Sequence, residues 1–598
     1  ISTVFVPGPK YRYTWETPLV FAPTDPKTLY VGMQHVLRTN DGALTWSEIS
    51  PDLTEKPAAA KQSHHADIDK EVGLEEEDKP QAPANGVIQT IAPSAAKSGI
   101  IWVGTSTGLV QLTRDSGKSW QNVTPSGLPE RSAIILIEAS PLDADTAYAI
   151  AAAFPNPHPY IYRTRDAGKN WQKIVAGLSE KGSARVVRED PARKGLVYAG
   201  TETGAYVSFD GGDRWQALQL NLPTVSVRDL QVHGNDLVAA TYGRGLWIID
   251  NLSPLRKLDT KANEAVVHLF APEAAVRVRW DTWPDTPFPA DTAAAENPGD
   301  GAVIDYYLKS DTASEIKLEI HDDHGRTVRS FSSTPPAAEN LPANAPEYWF
   351  APPPVLSRTA GLHRFVWNLQ WDHPATLPYS FYGRPLEYIE YTLPDHAIAG
   401  QTPRHQPPGP YVVPGSYEVV LTVDGQTYRQ PLVVKLDPRV SVSQSDLQEQ
   451  LELARQMTDG MAVSYKSYND IASLRLALAE RQKSVAGKSD VKDLSEAITS
   501  LATELAGLQE GSNAAPGFGS INRDLARYLT MIEGGDVRPA ASARENTKVL
   551  CEALKKDLAA WRTVNSERLP ALNKLLERHG LAKLAIITPS IDSICSAQ

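Results

Sequence analysis

Asp41, Asp115, Asp166 and Asp210 share one short setting: TNDGALTW, TRDSGKSW, TRDAGKNW and SFDGGDRW. Each has Ser or Thr two residues before the Asp and a tryptophan five after it, at Trp46, Trp120, Trp171 and Trp215. A carboxylate in such a place could act as a general acid or base. It could equally accept hydrogen bonds from the N–H groups of its own turn. Three of the stretches carry Gly four residues after the Ser or Thr, where positive φ is easily adopted; the first has Ala43 there and Gly42 one place early. Asp67, Asp69, Glu71, Glu75 and Asp78 fall at positions 1, 3, 5, 9 and 12 of a calcium-loop frame. The frame is a poor one, because Gly73 is one place late and Asp replaces the bidentate Glu. A solvated acidic loop is expected there, with calcium the weaker alternative and no other cofactor. Cys551 and Cys595 are the chain's two cysteines, too few for a disulfide scaffold or a zinc framework. Either one bridge near the C-terminus or two free thiols fits. No G-x-S-x-G, H-E-x-x-H, P-loop or dinucleotide fingerprint occurs in a suitable context.

Pro- and aromatic-rich stretches at 280–301, 348–355 and 371–391 present Trp280, Trp283, Trp349, Trp371, Tyr379 and Tyr382. Aromatic faces could form a carbohydrate platform. They could also seal a joint between domains, which is the expected use.

The elements that position these residues fall into three segments. The box aspartates are separated by 74, 51 and 44 residues, a period that points to a solenoid or propeller. Strand-like runs such as IIWVGTSTGLVQLT and LVYAGTETGAYVS precede the boxes, and QNVT and QALQL follow, so each box reads as a hairpin turn. Proline counts are 19, 23 and 4 over 1–255, 256–440 and 441–598. The proline-poor last segment permits long helices. The expected class is mainly β with an α C-terminal domain. Residues 1–255 form propeller blades, about five by strand count. Residues 256–440 form an immunoglobulin- or fibronectin-like β-sandwich with Pro/aromatic insertions, and 441–598 an up-down helical bundle with Ser443 or Ser445 as its first N-cap.

The four stretches resemble the Asp-box, S/T-x-D-x-G-x-x-W, of the bacterial neuraminidase-type (BNR) repeat. Asp-box propellers include sialidases, xyloglucanases and the sortilin (Vps10) ectodomain. The run GLVYAGTETGAYVSFDGGDRW…DLVAATYGRGLWIID is similar to large bacterial secreted sortilin-like or glycosyl-hydrolase-repeat proteins. The resemblance implies that the box aspartates are structural and lie at the blade periphery. It also implies that the chain is the C-terminal portion of a longer protein. The N-terminal portion, or another chain, would then complete the ring. Tyr242 and Arg244 are candidate channel-facing residues; relatives have His where Tyr242 stands.

The chain has 598 residues, a net charge of −12 and 41% hydrophobic residues. Acidity without a basic block excludes ordinary nucleic-acid binding. The composition excludes wholesale disorder, and no apolar run is long enough to span a membrane. The expected function is a secreted or periplasmic propeller scaffold that binds a protein, peptide or glycan. One alternative is an Asp-box glycoside hydrolase of xyloglucanase or sialidase type with paired carboxylates. A second is a structural subunit of a larger assembly.

Overall fold

A computed structural model describes residues 11–55, 86–258, 264–279, 298–336, 353–377, 409–486, 491–512 and 515–587. The chain forms two compact units, Ile1–Leu258 and Asp259–Gln598.

The first unit is a row of five antiparallel sheets. The first sheet holds β1 (Leu19–Ala22), β2 (Asp25–Gly32), β3 (Val36–Thr39) and β4 (Ser47–Glu48). The second holds β5 (Ile88–Pro93), β6 (Ile101–Thr105), β7 (Val110–Thr113) and β8 (Gln121–Asn122). The third holds β9 (Ser132–Ala139), β10 (Ala147–Ala153), β11 (Ile161–Thr164) and β12 (Gln172–Lys173). The fourth holds β13 (Ala184–Glu189), β14 (Val197–Thr201), β15 (Gly204–Ser208) and β16 (Gln216–Ala217). The fifth has three strands, β17 (Val227–His233), β18 (Asp236–Thr241) and β19 (Leu246–Ile249), followed by the short helix α1 (Ser253–Lys257). Strands run up and down within each sheet, and each sheet packs on the next mainly through its first two strands. The apolar cores lie between neighbouring sheets. Val36, Ile88 and Val103 fill the first junction and Trp102, Ile134 and Ala149 the second. Tyr148, Ile161 and Val197 fill the third, and Val186, Leu230 and Leu237 the fourth.

The boxes are the turns from third to fourth strand. In the second sheet Thr113 donates to Asp115 Oδ1 (2.9 Å), and the Gly117 N–H donates back to the Thr113 hydroxyl (2.9 Å). The Ser119 N–H and hydroxyl donate to the two carboxylate oxygens at 2.9 and 2.6 Å. The same pattern recurs around Asp41 and Asp166, and Asp210 takes the corresponding backbone bond from Arg214. Hydrogen bonds from Ser119, side chain first, hold the Asp115 carboxyl down at about 2, and those from Thr45 do the same for Asp41. Acids held ionised in this way serve their own turn and make poor proton donors. The tryptophans reach the sheet before rather than the strand after. Trp120, Trp171 and Trp215 donate from the indole N–H to the carbonyls of Ile49, Val123 and Ile174 at 2.9, 2.7 and 2.9 Å. The box glycines face those same residues. A Cβ on Gly168 would stand 2.6 Å from Val123 Cβ, and Cβ atoms on Gly117 and Gly212 would collide with Ile49 and Ile174.

In the second unit one sheet orders β20 (Val267–Leu269), β22 (Ala302–Leu308) and β25 (Gly361–Trp367). The other runs β21 (Ala275–Arg277), β27 (Gln426–Leu436), β26 (Gly415–Val423), β23 (Lys317–Asp322) and β24 (Thr327–Ser332). Alternating apolar residues from both sheets, among them Ile304, Phe365 and Trp367 against Ile320, Val419 and Leu432, share one core. The helices are α2 (Gln444–Val485), α3 (Lys492–Glu510), α4 (Phe518–Ile532), α5 (Ala541–Thr563) and α6 (Leu569–Arg578). Ser443 caps α2, accepting from the Asp446 N–H at 3.1 Å. A π-turn at Val564–Arg568 joins α5 to α6, and Pro570 lies in the first turn of α6.

Sheets and helices of this unit are tied by a buried ionic cluster. Arg277 pairs with Asp536 at 2.6 Å and Arg279 with Glu533 at 2.9 Å, both guanidiniums lying over the Tyr411 ring. Asn522 on α4 accepts from the Leu377 N–H (2.7 Å) and donates to the Ala375 carbonyl (3.1 Å).

Two measurements probe these packings. Gly168→Ala adds a methyl against Val123 at a φ of 80° and is expected to lower stability by about 2–4 kcal/mol in urea denaturation. Ala43→Gly relaxes an alanine held at a φ of 70° and is expected to raise stability by about 0.5–1 kcal/mol. Asp557 on α5 is buried, with Oδ2 unpartnered among the described residues, and burial pushes its carboxyl up to about 6. The folded state therefore keeps a proton that the unfolded chain releases near 3.8. The contribution of this group to stability should fall as pH rises from 4 to 6 and level off above. Asp557→Leu should abolish that slope and add about 2–3 kcal/mol at neutral pH, read by thermal unfolding against pH.

Candidate functional site

The first strands of neighbouring sheets pack against one another, and most of their side chains are buried or partly buried. Four of these strands break register at the same place. The ladder skips Gln89, Ile135, Arg185 and Arg228 in β5, β9, β13 and β17. A bulge re-aims the residue it carries. Beside three of them the turn from second to third strand is pinned to the residue before the first strand. The N–H groups of Ser106, Glu202 and Tyr242 donate to the carbonyls of Val87, Ser183 and Ser226 at 2.9, 3.1 and 2.9 Å. The turns therefore deliver partners to the bulges. Arg185 pairs with Glu202, whose carboxylate also accepts from the Ser183 N–H at 3.1 Å. Against a burial penalty, these hydrogen bonds hold Glu202 below its usual range. The Arg228 guanidinium lies 4.9 Å over the exposed Tyr242 ring.

Further along the first strands Arg188 joins three sheets. Its guanidinium is 3.1 Å from Glu138 Oε2 and 2.9 Å from Asp229 Oδ1, and its Nε donates to the Leu230 carbonyl at 3.0 Å. Burial, helped by the neighbouring Glu189 charge, raises the Glu138 carboxyl to about 7 despite the arginine. Glu189 is buried and accepts from the Gly195 N–H at 3.1 Å, while its Oε2 has no hydrogen-bond partner among the described residues.

Of the residues singled out in the sequence, the eight box residues are turn and junction elements. Tyr242 and Arg244 lie in the β18–β19 turn, and the Arg244 carbonyl accepts from the Trp247 indole at 3.0 Å. Trp371 is half-buried against the two-sheet core of the second unit, with the Arg455 guanidinium 4.8 Å over its ring. Trp280, Trp283, Trp349, Tyr379 and Tyr382 lie outside the described residues, as do Asp67, Asp69, Glu71, Glu75 and Asp78. Among the described residues no three His, Cys, Asp or Glu side chains are grouped to hold a metal. Cys551 is disulfide-bonded; the chain's other cysteine, Cys595, lies outside the described residues. Sequence reading passed over Arg185, Arg228, Glu138, Arg188 and Asp229. The available signal was charge inside strand patterns, in SARVVRED and SVRDLQVH.

Up-and-down sheets in series, latched by Asp-box turns, define an Asp-box β-propeller segment. The Sortilin-Vps10 family (Sortilin, neurotensin receptor 3) matches residues 108–244. The oligoxyloglucan-reducing end-specific xyloglucanase of Emericella nidulans is 29% identical over 142 residues, 23% of this chain and 16% of that enzyme. The chain thus spans less than a fifth of this curated relative. Solved structures similar to part of the chain include two from different proteins. The GH74 xyloglucanase from Xanthomonas campestris has a TM-score of 0.29 at 20% identity, over 48% of this chain and 42% of that one. YCF48 bound to D1 peptide has 0.24 at 18%, over 44% and 83%.

The raised Glu138 carboxyl gives a signed expectation. Its folded state keeps a proton between 4.5 and about 7, so stability should decline as pH rises through that window. Glu138→Gln should flatten the decline in urea denaturation at a series of pH values, leaving the slope due to Asp557.

Proposed function

We propose that the first unit is a ligand-binding module of a secreted or periplasmic protein. It takes a glycan, peptide or protein ligand at the rim formed by Arg185, Glu202, Arg228 and Tyr242, without chemistry. One observation carries this reading: the Arg188 guanidinium sits between Glu138 and Asp229, within 3.1 Å of one and 2.9 Å of the other. Glycoside hydrolysis needs two carboxyls about 5–10 Å apart facing one glycosidic bond. Here the Arg188 guanidinium fills the gap between the two carboxyls. The rim instead offers what recognition uses: a guanidinium stacked on an exposed ring, and a neighbouring acid–base pair. The disulfide at Cys551 supports an oxidising compartment.

A glycoside hydrolase is the second reading, favoured by the Glu138 carboxyl, which holds its proton to about pH 7 as a general acid would. Titration calorimetry with xyloglucan oligosaccharides, acidic glycans and acidic peptides, alongside a reducing-end assay, separates the two. Binding that Arg228→Ala weakens by about tenfold, with no new reducing ends, is expected. Release of reducing ends that Glu138→Gln abolishes would replace the binding reading with the hydrolytic one.

A further inference from the structure

In the second unit the chain runs through residues 371–377 without joining either sheet as a strand. The start of this strap is fixed to the sheets. The Trp371 N–H donates to the Pro410 carbonyl at 2.9 Å, and Arg329 on β24 donates to the Trp371 carbonyl and pairs with Asp372 at 3.0 Å. Its end is fixed to the helices by one side chain. Asn522, fully buried on α4, accepts from the Leu377 N–H at 2.7 Å through Oδ1 and donates from Nδ2 to the Ala375 carbonyl at 3.1 Å. The same Nδ2 donates to the Met461 carbonyl of α2 at 2.9 Å and lies 3.2 Å from the Ser464 hydroxyl oxygen. The helix α2 therefore sets the direction in which the amide points.

One amide bonding a carbonyl and an N–H two residues apart does what a residue of a parallel strand does for its neighbour. It reads main chain and is blind to side chains. Side-chain selection falls to Pro374 and Leu377, which are buried, while Ala375 between them is exposed and Thr376 half-buried. Main-chain bonds for affinity, with pockets for selected side chains, are how proteins capture extended peptides. A buried amide without such partners is costly, so the seat favours being filled.

We propose that Asn522, backed by Met461 and Ser464, is a peptide-reading seat that the chain fills with its own residues 374–377. When the strap leaves, the seat takes another extended, uncharged segment of the pattern Pro-x-x-Leu. Hydrogen exchange of the parent chain in increasing urea tests the strap. The Leu377 N–H should open by a local route that urea does not change, while the amides of α4 and β26 exchange through global unfolding. Exchange of all of them together would overturn the proposal. Leu377→Asp empties the seat and should let the full chain bind a labelled, end-blocked peptide of residues 372–377. The parent should bind that peptide at least about tenfold more weakly, because its own strap competes at the roughly millimolar effective concentration of a tethered segment. Asn522→Leu added to Leu377→Asp should remove the binding, and so should a peptide carrying Pro374→Asp and Leu377→Asp. Leu377→Ala is the second releasing variant should the first lose its helical circular dichroism. A folded released variant that binds no peptide, binding that survives Asn522→Leu, or parent and variant that bind alike would overturn the proposal.

Discussion

The first unit depends on one contact repeated three times: an indole N–H reaching across a junction to a backbone carbonyl, beside a glycine that lets the strands approach. The carbonyls of Ile49, Val123 and Ile174 each follow a fourth strand only two residues long. Such a strand contributes little ladder of its own. The tryptophan gives its end a hydrogen bond and a large apolar cover. The aspartate is the precondition, because its carboxylate gathers the N–H groups of the turn and fixes where the tryptophan points. The glycine is needed twice over, for a φ near 90° and for the absence of a Cβ. The box is therefore a device for joining sheets, and its acid is spent on the backbone.

This explains what was legible in the sequence. A local motif whose parts bond within eight residues can be read from spacing alone, and the box turns, the strand-like runs around them and the Ser443 cap stand where spacing puts them. The destination of the tryptophan could not be read, because Trp171 meets Val123 across 48 residues. The same holds for Arg188, whose partners Glu138 and Asp229 are 50 and 41 residues away on other sheets. Bulges are harder still. Nothing in SARVV or SVRDL announces that the ladder will skip an arginine, since register is settled by the partner strand and the turn beyond it.

The second unit solves a different problem, that of holding two sheets and a set of long helices as one body. It does so with charge where an apolar joint would suffice. Arg277 is almost fully buried, and burial lowers its pKa; the facing Asp536 opposes this. Burial raises Glu533, against which Arg279 works. Buried pairs of this kind contribute little net stability against a well-packed apolar substitute, yet removing one partner leaves an uncompensated charge. Tyr411 beneath both guanidiniums and the Val412 carbonyl accepting from Arg277 at 2.7 Å make the arrangement directional. A directional joint fixes the angle between sheet and helix, which a greasy contact leaves open.

The contrast between periphery and first strands bears on function. The boxes latch the outer edges, while the first two strands carry most of the packing between sheets. The first strands carry a bulge in the same position of four successive sheets. That position is one geometric slot filled four ways: Gln89, Ile135, Arg185 and Arg228. Two of the four fillings are cationic, and both sit beside a turn that supplies a partner, Glu202 for one and Tyr242 for the other. The slot is not independent of the packing, since Ile135 lies against the core between the third and fourth sheets, whereas Arg185 and Arg228 meet a carboxylate and an exposed ring.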